Sequence, residues 1–212
     1  MTGSGTYTGN NLFSLGILQD LAQYFPPYLR ENRQAAFGLK EELEKFPDNM
    51  NYYSSHHKGE WLQGDGYQRF EIYSFERNET KETKGIILSN SCDISTENKR
   101  ILPVNVIFAP IIPLLGIQNI LQQAQKDSES TINAIKSQQM TSMFFLPAQA
   151  ESALQEDYVV MFDKTSHIPR NYFKEHAGQQ LFTLSQAGFY LFTMKLSIHF
   201  CRLHENILRG TP

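Results

Sequence analysis

Residues 85–89 read Gly-Ile-Ile-Leu-Ser, a short continuous apolar run that is typical of a strand buried on both faces. Residues 104–109, Val-Asn-Val-Ile-Phe-Ala, form a second run of this kind. Residues 70–75 alternate apolar and polar side chains over most of their length, which is the period of a half-buried strand. Residues 142–146 and 158–162 are also strand-like. These short strands predict a β-rich centre.

Helical patterns flank and interrupt this centre. Apolar residues recur at three- and four-residue steps within residues 12–46, with a break at Pro26. A helical insertion is predicted at about residues 114–138. A last helix is predicted at about residues 186–207, with Ser185 as its N-cap. Strands grouped in the middle and helices set apart predict the α+β class, with a small curled β-sheet or barrel as the core.

The domain organisation follows from the same patterns. Residues 47–60 are polar and rich in Tyr and His, which predicts a linker. We therefore expect a helical N-terminal arm with its linker at residues 1–58. The core, with its helical insertion and last helix, is expected at residues 59–212.

Composition and charge exclude several classes of protein. The chain has 212 residues, a formal net charge of -3 and a pI near 6.1, which disfavours a protein that coats nucleic acid nonspecifically. Two cysteines, Cys92 and Cys201, exclude a disulfide scaffold and an all-cysteine zinc site. The N-terminus lacks the pattern of a signal peptide, and the apolar-leaning residues 101–120 carry three prolines. We expect a cytoplasmic protein that does not enter a membrane.

One stretch carries a family resemblance. Gly64-Asp65 is followed by a strand, a charged loop and then residues 83–90, which read Thr-Lys-Gly-Ile-Ile-Leu-Ser-Asn. This order resembles the core of the PemK/MazF-like toxin barrels over about residues 60–110. The resemblance implies an SH3-like barrel fold. Members of that family cleave RNA as dimers. It also implies a setting in a toxin–antitoxin or phage-defence system.

The positions that carry activity in that family differ in this chain. Lys84 stands where the family has an arginine, and Gly85 replaces the following proline. The next strand ends in Phe-Ala-Pro at residues 108–110, where the family has a threonine or serine. An arginine forms a bidentate fork with phosphate oxygens, whereas a lysine offers a point charge. The resemblance therefore implies the fold more than the ribonuclease activity.

A polar turn after the buried strand, residues 89–93, holds the main candidate site. One hypothesis makes Asp93 an acid/base or ligand-binding carboxylate, and another makes Cys92 a nucleophile that a distant histidine such as His167 activates. The alternative is a strand exit in which these side chains bond their own backbone. The ligand-binding candidates are Ser89, Asn90, Ser91 and Asp93, and the catalytic candidates are Asp93, Cys92, Lys84 and Arg100.

Histidines offer little support for a metal site. His56 and His57 are adjacent and followed by Glu60, but neighbouring residues on a strand point to opposite faces and do not chelate one ion together. We expect no metal and no cofactor.

The N-terminal arm suggests a partner. It carries Leu18, Leu21, Phe25 and further apolar residues nearly all round a helix, and such a helix must be buried from every side. Either it packs under the core, or it docks on another protein or makes a homodimer. The leading hypothesis is a non-catalytic or degenerate PemK/MazF-like interaction protein. The alternatives are a divergent metal-independent endoribonuclease, for which RNA is the partner, and a Cys92-dependent hydrolase.

Overall fold

A computed structural model describes residues 51–56 and 59–201. The predicted helical arm, His57 and the last residues of the predicted C-terminal helix lie outside this part of the chain. Within it, antiparallel strands and helices make an α+β fold, which confirms the predicted class. The strands are β1 (Tyr53–Ser54), β2 (Gly66–Ser74), β3 (Glu79–Ile87), β4 (Asn105–Pro113), β5 (Met143–Leu146), β6 (Tyr158–Met161), β7 (Ser166–Pro169) and β8 (Gln180–Leu184).

The described part of the chain contains five α-helices. They are α1 (Ser91–Ile94), α2 (Leu114–Gln123), α3 (Ser128–Lys136), α4 (Arg170–His176) and α5 (Gln186–Cys201). The helical insertion is confirmed as α2 and α3, and the last helix is confirmed as α5 up to Cys201. Ser185 caps α5, because its hydroxyl accepts a hydrogen bond from the Gly188 N–H at 3.1 Å. Of the helices in the described part of the chain, none is long and apolar enough to cross a membrane.

The sheet is antiparallel and its strands follow the order β1-β8-β2-β3-β4-β6-β5, with β7 also paired to β4. Strands β6 and β7 share one edge of β4. Phe108 and Ile111 are three positions apart on β4, whereas their partners Ser166 and Val160 are six positions apart. The extra residues form the 3₁₀ turn Phe162–Lys164, which lets one edge of β4 carry two short partners.

Two sequence-based assignments need correction. Residues 51–56 do not form a linker: Tyr52 and Tyr53 are buried, and Tyr53 pairs with Leu184 of β8. The charged segment before residue 85 is also not only a loop, because β3 begins at Glu79, opposite Ser74 of β2. Both segments are rich in polar residues, and their strands are specified by pairing rather than by an apolar pattern.

The terminal strands β1 and β5 approach each other through side chains. The Tyr53 hydroxyl donates to the Pro147 carbonyl at 2.8 Å, and the Tyr52 N–H donates to the Gln149 side chain at 2.9 Å. Among the described strands, no ladder of main-chain bonds joins β1 to β5, so the sheet is open.

Among the described residues, two apolar clusters contain side chains of the sheet. The first is centred on Phe70, whose ring stacks on Phe108 at 4.2 Å and on Phe173 at 5.2 Å between centroids. The second holds α2 and α3 against β5 and β6 through residues such as Ile135 and Val159. The predicted insertion is therefore part of the core.

Candidate functional site

The polar turn is anchored to β4 by its first side chain. The buried Ser89 hydroxyl accepts a hydrogen bond from the Ile107 N–H at 2.8 Å. The N–H groups of Leu88 and Ser89 both donate to the Ile107 carbonyl, at 2.8 and 3.2 Å. Ser89 therefore continues the pairing of β3 with β4, and its hydroxyl is used inside the fold.

Asn90 and Ser91 hold the start of α1. Asn90 is the N-cap, and its side-chain oxygen accepts a hydrogen bond from the Cys92 N–H at 2.9 Å. The Ser91 hydroxyl accepts one from the Gln63 N–H at 2.9 Å, and the Gln63 amide donates to the Leu88 carbonyl at 2.7 Å. Short polar side chains commonly satisfy main-chain groups at such positions. Two of the predicted ligand-binding side chains therefore stabilise the turn.

Asp93 and Arg100 are the catalytic candidates that the structure brings together. Arg100 Nη2 donates to Asp93 Oδ1 at 2.6 Å, and the two side chains are 45% and 63% exposed. The segment between them is fastened from β7 and α4, because Arg170 Nη1 donates to the Ser95 carbonyl at 2.9 Å. An ion pair this exposed contributes roughly 0–1 kcal/mol to stability. Its guanidinium and carboxylate remain accessible from solvent.

Cys92 is exposed and not in a disulfide. Its main-chain carbonyl accepts a hydrogen bond from the Asn98 side chain, which holds the turn rather than the thiol. His167, the histidine suggested as its base, lies on β7 opposite Ile107. In the described part of the chain, no hydrogen bond joins the His167 ring to the Cys92 thiol. The described geometry therefore does not pair Cys92 with His167.

Lys84 lies within β3, apart from the polar turn. Its ammonium donates to the hydroxyl of the buried Tyr158 and lies 4.5 Å from the centroid of that ring. A Cβ at the next residue, Gly85, would lie 2.6 Å from the Phe70 ring and 3.1 Å from the Phe108 ring. The packing of these rings requires glycine at this position, where the resembled family has proline.

The Gly64-Asp65 pair of the resemblance has a structural role. Asp65 is fully buried, and its Oδ2 accepts hydrogen bonds from the Leu62 N–H at 3.0 Å and the Gln180 amide at 2.9 Å. These bonds tie the start of β2 to β8. Hydrogen bonds of this kind stabilise a buried carboxylate inside the fold.

The histidines near residue 56 form no metal centre that the structure describes. His56 is exposed, whereas His57 lies outside the described residues. Within residues 51–56 and 59–201, no group of three or more His, Cys, Asp or Glu side chains is arranged to hold a metal ion.

An open cleft of about 630 Å³ lies beside the polar turn. Ser91 is the predicted site residue that lines it, together with Gln63, the β1 segment, the end of β8 and the start of α5. Its polar walls are mostly hydroxyl and amide groups. Sequence analysis missed this cleft because its walls come from distant segments, one of which was predicted to be a linker.

A second polar cluster, which was also missed, is buried. Lys195 of α5 is 5% exposed, and its Nζ donates to the carbonyls of Gln138 and Met140, each at 2.6 Å. Burial lowers the pKa of Lys195 to about 8. The Gln138 amide donates to the Phe145 carbonyl at 2.9 Å and accepts from the Phe145 N–H at 3.1 Å. We name Gln138, Met140 and Lys195 the edge cover.

The signal for the edge cover was one charged residue in an otherwise apolar stretch of the last helix. Lys195 lies between Met194 and Leu196. A lysine in such an apolar stretch indicates an ammonium group that is buried with partners inside the fold. Comparisons with known proteins add no further assignment: no family model matches the chain, and no curated protein matches it. The residues and contacts described above are therefore the basis for a functional proposal.

Proposed function

We propose that the protein acts by binding another protein chain, as a non-catalytic PemK/MazF-like interaction protein. The observation that carries this proposal is that the polar side chains of the turn form hydrogen bonds to the protein's own main chain. Ser89, Asn90 and Ser91 each commit a side-chain oxygen to a main-chain N–H. A catalytic turn instead presents such groups to a substrate. The turn is therefore interpreted as a scaffold.

The remaining family positions support the same interpretation. Lys84, at the arginine position, is engaged with Tyr158. Ala109, at the end of the next apolar run, is buried and carries no hydroxyl. The arginine and the hydroxyl that carry the reaction in the resembled family are thus both missing from these positions. The proposal is that the core is retained and its reaction is lost.

A barrel-like core is part of the proposal. The Tyr53 hydroxyl bridges to the Pro147 carbonyl between the two terminal strands. Helix α4 connects β7 to β8, and the chain at its end meets β2, where the Arg69 N–H donates to the Ala177 carbonyl at 3.0 Å. These contacts support an SH3-like barrel whose gaps are closed by side chains and a helix rather than by strand pairing.

The proposed partner site is the helical part of the N-terminal arm, at residues 12–46. These residues are rich in apolar side chains and lie outside the described residues. A protein partner or a second copy would bury these side chains, and the resemblance suggests a toxin–antitoxin or phage-defence setting in the cytoplasm. Binding energy in such an interface would come from a few aromatic and aliphatic anchors.

Native mass spectrometry of the full-length protein tests this proposal. The expected result is a homodimer, or a complex of fixed stoichiometry with a partner co-purified from its own cells. Leu18→Asp combined with Leu21→Asp should abolish the complex and leave a folded monomer by circular dichroism. The matched control is Gln19→Asp combined with Gln23→Asp, which adds the same charges without removing apolar anchors. A wild-type protein that is monomeric and captures nothing would overturn the proposal.

A metal-independent endoribonuclease is the second candidate, and one contact favours it. The Asp93 carboxylate and the Arg100 guanidinium lie 2.6 Å apart on an exposed surface. An arginine can stabilise the charge that develops on phosphorus, and a carboxylate can take the proton of an attacking hydroxyl. This pair would perform the reaction from new positions.

Incubation with mixed-sequence single-stranded RNA in EDTA tests this candidate. Cleavage by the wild type that is lost in Asp93→Asn and Arg100→Lys would support the nuclease. Asp163→Asn is the matched control, because Asp163 is an exposed aspartate outside the polar turn. Intact RNA with every protein would remove the candidate.

The Cys92-dependent hydrolase remains a third hypothesis. The exposed thiol is its supporting observation. A nucleophilic cysteine is labelled by iodoacetamide far faster than an ordinary exposed thiol, because its thiolate fraction is raised. A labelling rate equal to that of a short unstructured cysteine peptide would remove this hypothesis.

A further inference from the structure

Strand β5 is the last strand of the sheet and has a second edge that faces away from β6. The Phe162 N–H donates to the Ser142 carbonyl at 3.0 Å, which directs the main-chain groups of residue 142 toward β6. Main-chain direction alternates along a strand, so the groups of Met143, Phe145 and Pro147 point to the outer edge. An exposed edge of this kind is a template for pairing with another chain.

Four of these outward groups are bonded by side chains and by the segment before β5. The Met143 N–H donates to the Met140 carbonyl at 3.2 Å. The Phe145 N–H and carbonyl both bond the Gln138 side chain, whose amide takes the place of a peptide group. The Pro147 carbonyl accepts from the Tyr53 hydroxyl at 2.8 Å. The edge is closed without a neighbouring strand.

Lys195 holds this closure in place. Its Nζ bonds the carbonyls of Gln138 and Met140, the same two residues that bond the strand edge from the α3 side. Gln138 has a φ of 59°, in the left-handed region that a residue with a side chain adopts at a cost. The lysine therefore stabilises a strained residue on which the closure depends.

The groups that the edge cover and the Tyr53 hydroxyl bond are the groups that a second copy of β5 would use. In a two-fold antiparallel pair centred on Phe145, each Phe145 N–H would meet the Phe145 carbonyl of the second copy. Each Met143 N–H would meet the Pro147 carbonyl of the second copy, because proline supplies a carbonyl but no N–H. These are the same four groups per chain. The strand reads Met-Phe-Phe-Leu and has no charge to oppose self-pairing.

We infer that the outer edge of β5 is a latent dimerisation surface for a second copy of this chain, held closed by the edge cover and by the Tyr53 hydroxyl. When the cover opens and Tyr53 moves away, the main-chain groups of the edge form equivalent bonds across an isologous interface. The closed monomer and the paired dimer thus satisfy the same main-chain groups. This inference is independent of partner binding by the N-terminal arm.

The test combines amide hydrogen exchange with sedimentation velocity on the full-length protein. Lys195→Met removes the ammonium and keeps a buried chain of similar length. Gln138→Asn keeps the amide but shortens its reach. Lys174→Met is the matched control, because Lys174 is an exposed lysine of α4 and is not part of the cover. The Ile86 amide, in the β3–β4 ladder, reports global unfolding.

In Lys195→Met and Gln138→Asn, the Met143 and Phe145 amides should exchange about tenfold faster or more than the Ile86 amide of the same variant at low concentration. Both variants should associate further than the wild type as concentration rises, and the Phe145 amide should then regain protection. Wild type and Lys174→Met should keep the Phe145 amide protected and should show no association beyond that of the N-terminal arm. Unchanged Phe145 exchange in both variants, or faster exchange in chains that gain no association over the wild type at any concentration, would overturn the inference.

Discussion

The polar turn and the edge cover use similar side chains in different surroundings. The turn carries Asp93 and Arg100 at the surface, where water competes for every bond. The edge cover places Gln138 and Lys195 at 7% and 5% exposure, where no water replaces a lost partner. The comparison teaches that a polar residue that marks a site in the sequence can be energetically minor, whereas an inconspicuous glutamine can decide the integrity of the sheet.

The largest effect is expected for Gln138→Leu. This change leaves the Phe145 N–H and carbonyl buried without partners, and each such group costs about 1–3 kcal/mol, so the loss is about 2–6 kcal/mol. Urea denaturation measures the free energy of unfolding. Gln139→Leu is the control, because Gln139 is exposed one residue away, and it should change stability by less than about 0.5 kcal/mol. If Gln138→Leu and Gln139→Leu lowered the free energy of unfolding equally, the edge cover would be no more important for stability than an exposed residue beside it.

The pH dependence of stability sharpens the same distinction. The pKa of Lys195 is about 8 in the folded chain, below its ordinary value of 10.5. Between these values the unfolded chain holds a proton that the folded chain has released, so stability rises with pH. The free energy of unfolding should increase by about 2 kcal/mol from about pH 8 to pH 10.

Buried tyrosines limit this rise at high pH. Burial raises the pKa of Tyr52, Tyr53 and Tyr67 well above the ordinary value of 10.0. The unfolded chain loses these protons first, so stability falls as the pH passes 10. Lys195→Met should abolish the rise and retain the fall. A rise of the same size in Lys195→Met would contradict the assignment to Lys195.

Ser89→Ala should have an intermediate effect. The change leaves the Ile107 N–H without the hydroxyl that accepts from it, at a site where Ser89 is buried, and the expected cost is about 1–2 kcal/mol. Thermal or urea unfolding measures it. Ser95→Ala provides a control on the same segment, since the Ser95 hydroxyl accepts an exposed hydrogen bond from the Glu97 N–H at 3.3 Å, which water can replace. A negligible effect of Ser89→Ala would mean that the turn is free for other uses.

The smallest effect is expected for Asp93→Asn. The ion pair with Arg100 is exposed, so its loss should lower the free energy of unfolding by less than about 1 kcal/mol. The effect should shrink further at high salt, because exposed charges are screened. A loss of several kcal/mol would show that the turn depends on the pair as the sheet depends on Gln138.

Part of the fold could be predicted because its signals are local. The apolar runs within β3 and β4, and the helical spacing of α2, α3 and α5, are visible in single segments. Strands β1 and β7 have two and four residues, and their polar or mixed sequences carry no period. Pairing with distant partners specifies them, as Ser166 with Phe108 illustrates. Tertiary pairing of this kind cannot be derived from a local pattern.

The candidate site divides in the same way. The polar turn was predictable as a turn because Ser, Asn and Asp have local preferences for such positions. The edge cover was not predictable, because Gln138 and Lys195 are 57 positions apart and meet only through the fold. The cleft likewise combines Gln63 and Ser91 with Ser185 from the start of α5. Sequence identified the polar residues but not which of them are buried together.

Native-state hydrogen exchange of the wild-type protein tests the comparison most directly, because both regions are measured in one experiment. We expect the Phe145 amide, which the edge cover protects, to exchange only through global unfolding, at the rate of the Ile86 amide in the sheet. The Cys92 and Asp93 amides should exchange far faster, through local opening of the exposed turn. A Phe145 amide that exchanges as fast as the Cys92 amide would contradict the claim that the edge cover is more stable than the polar turn.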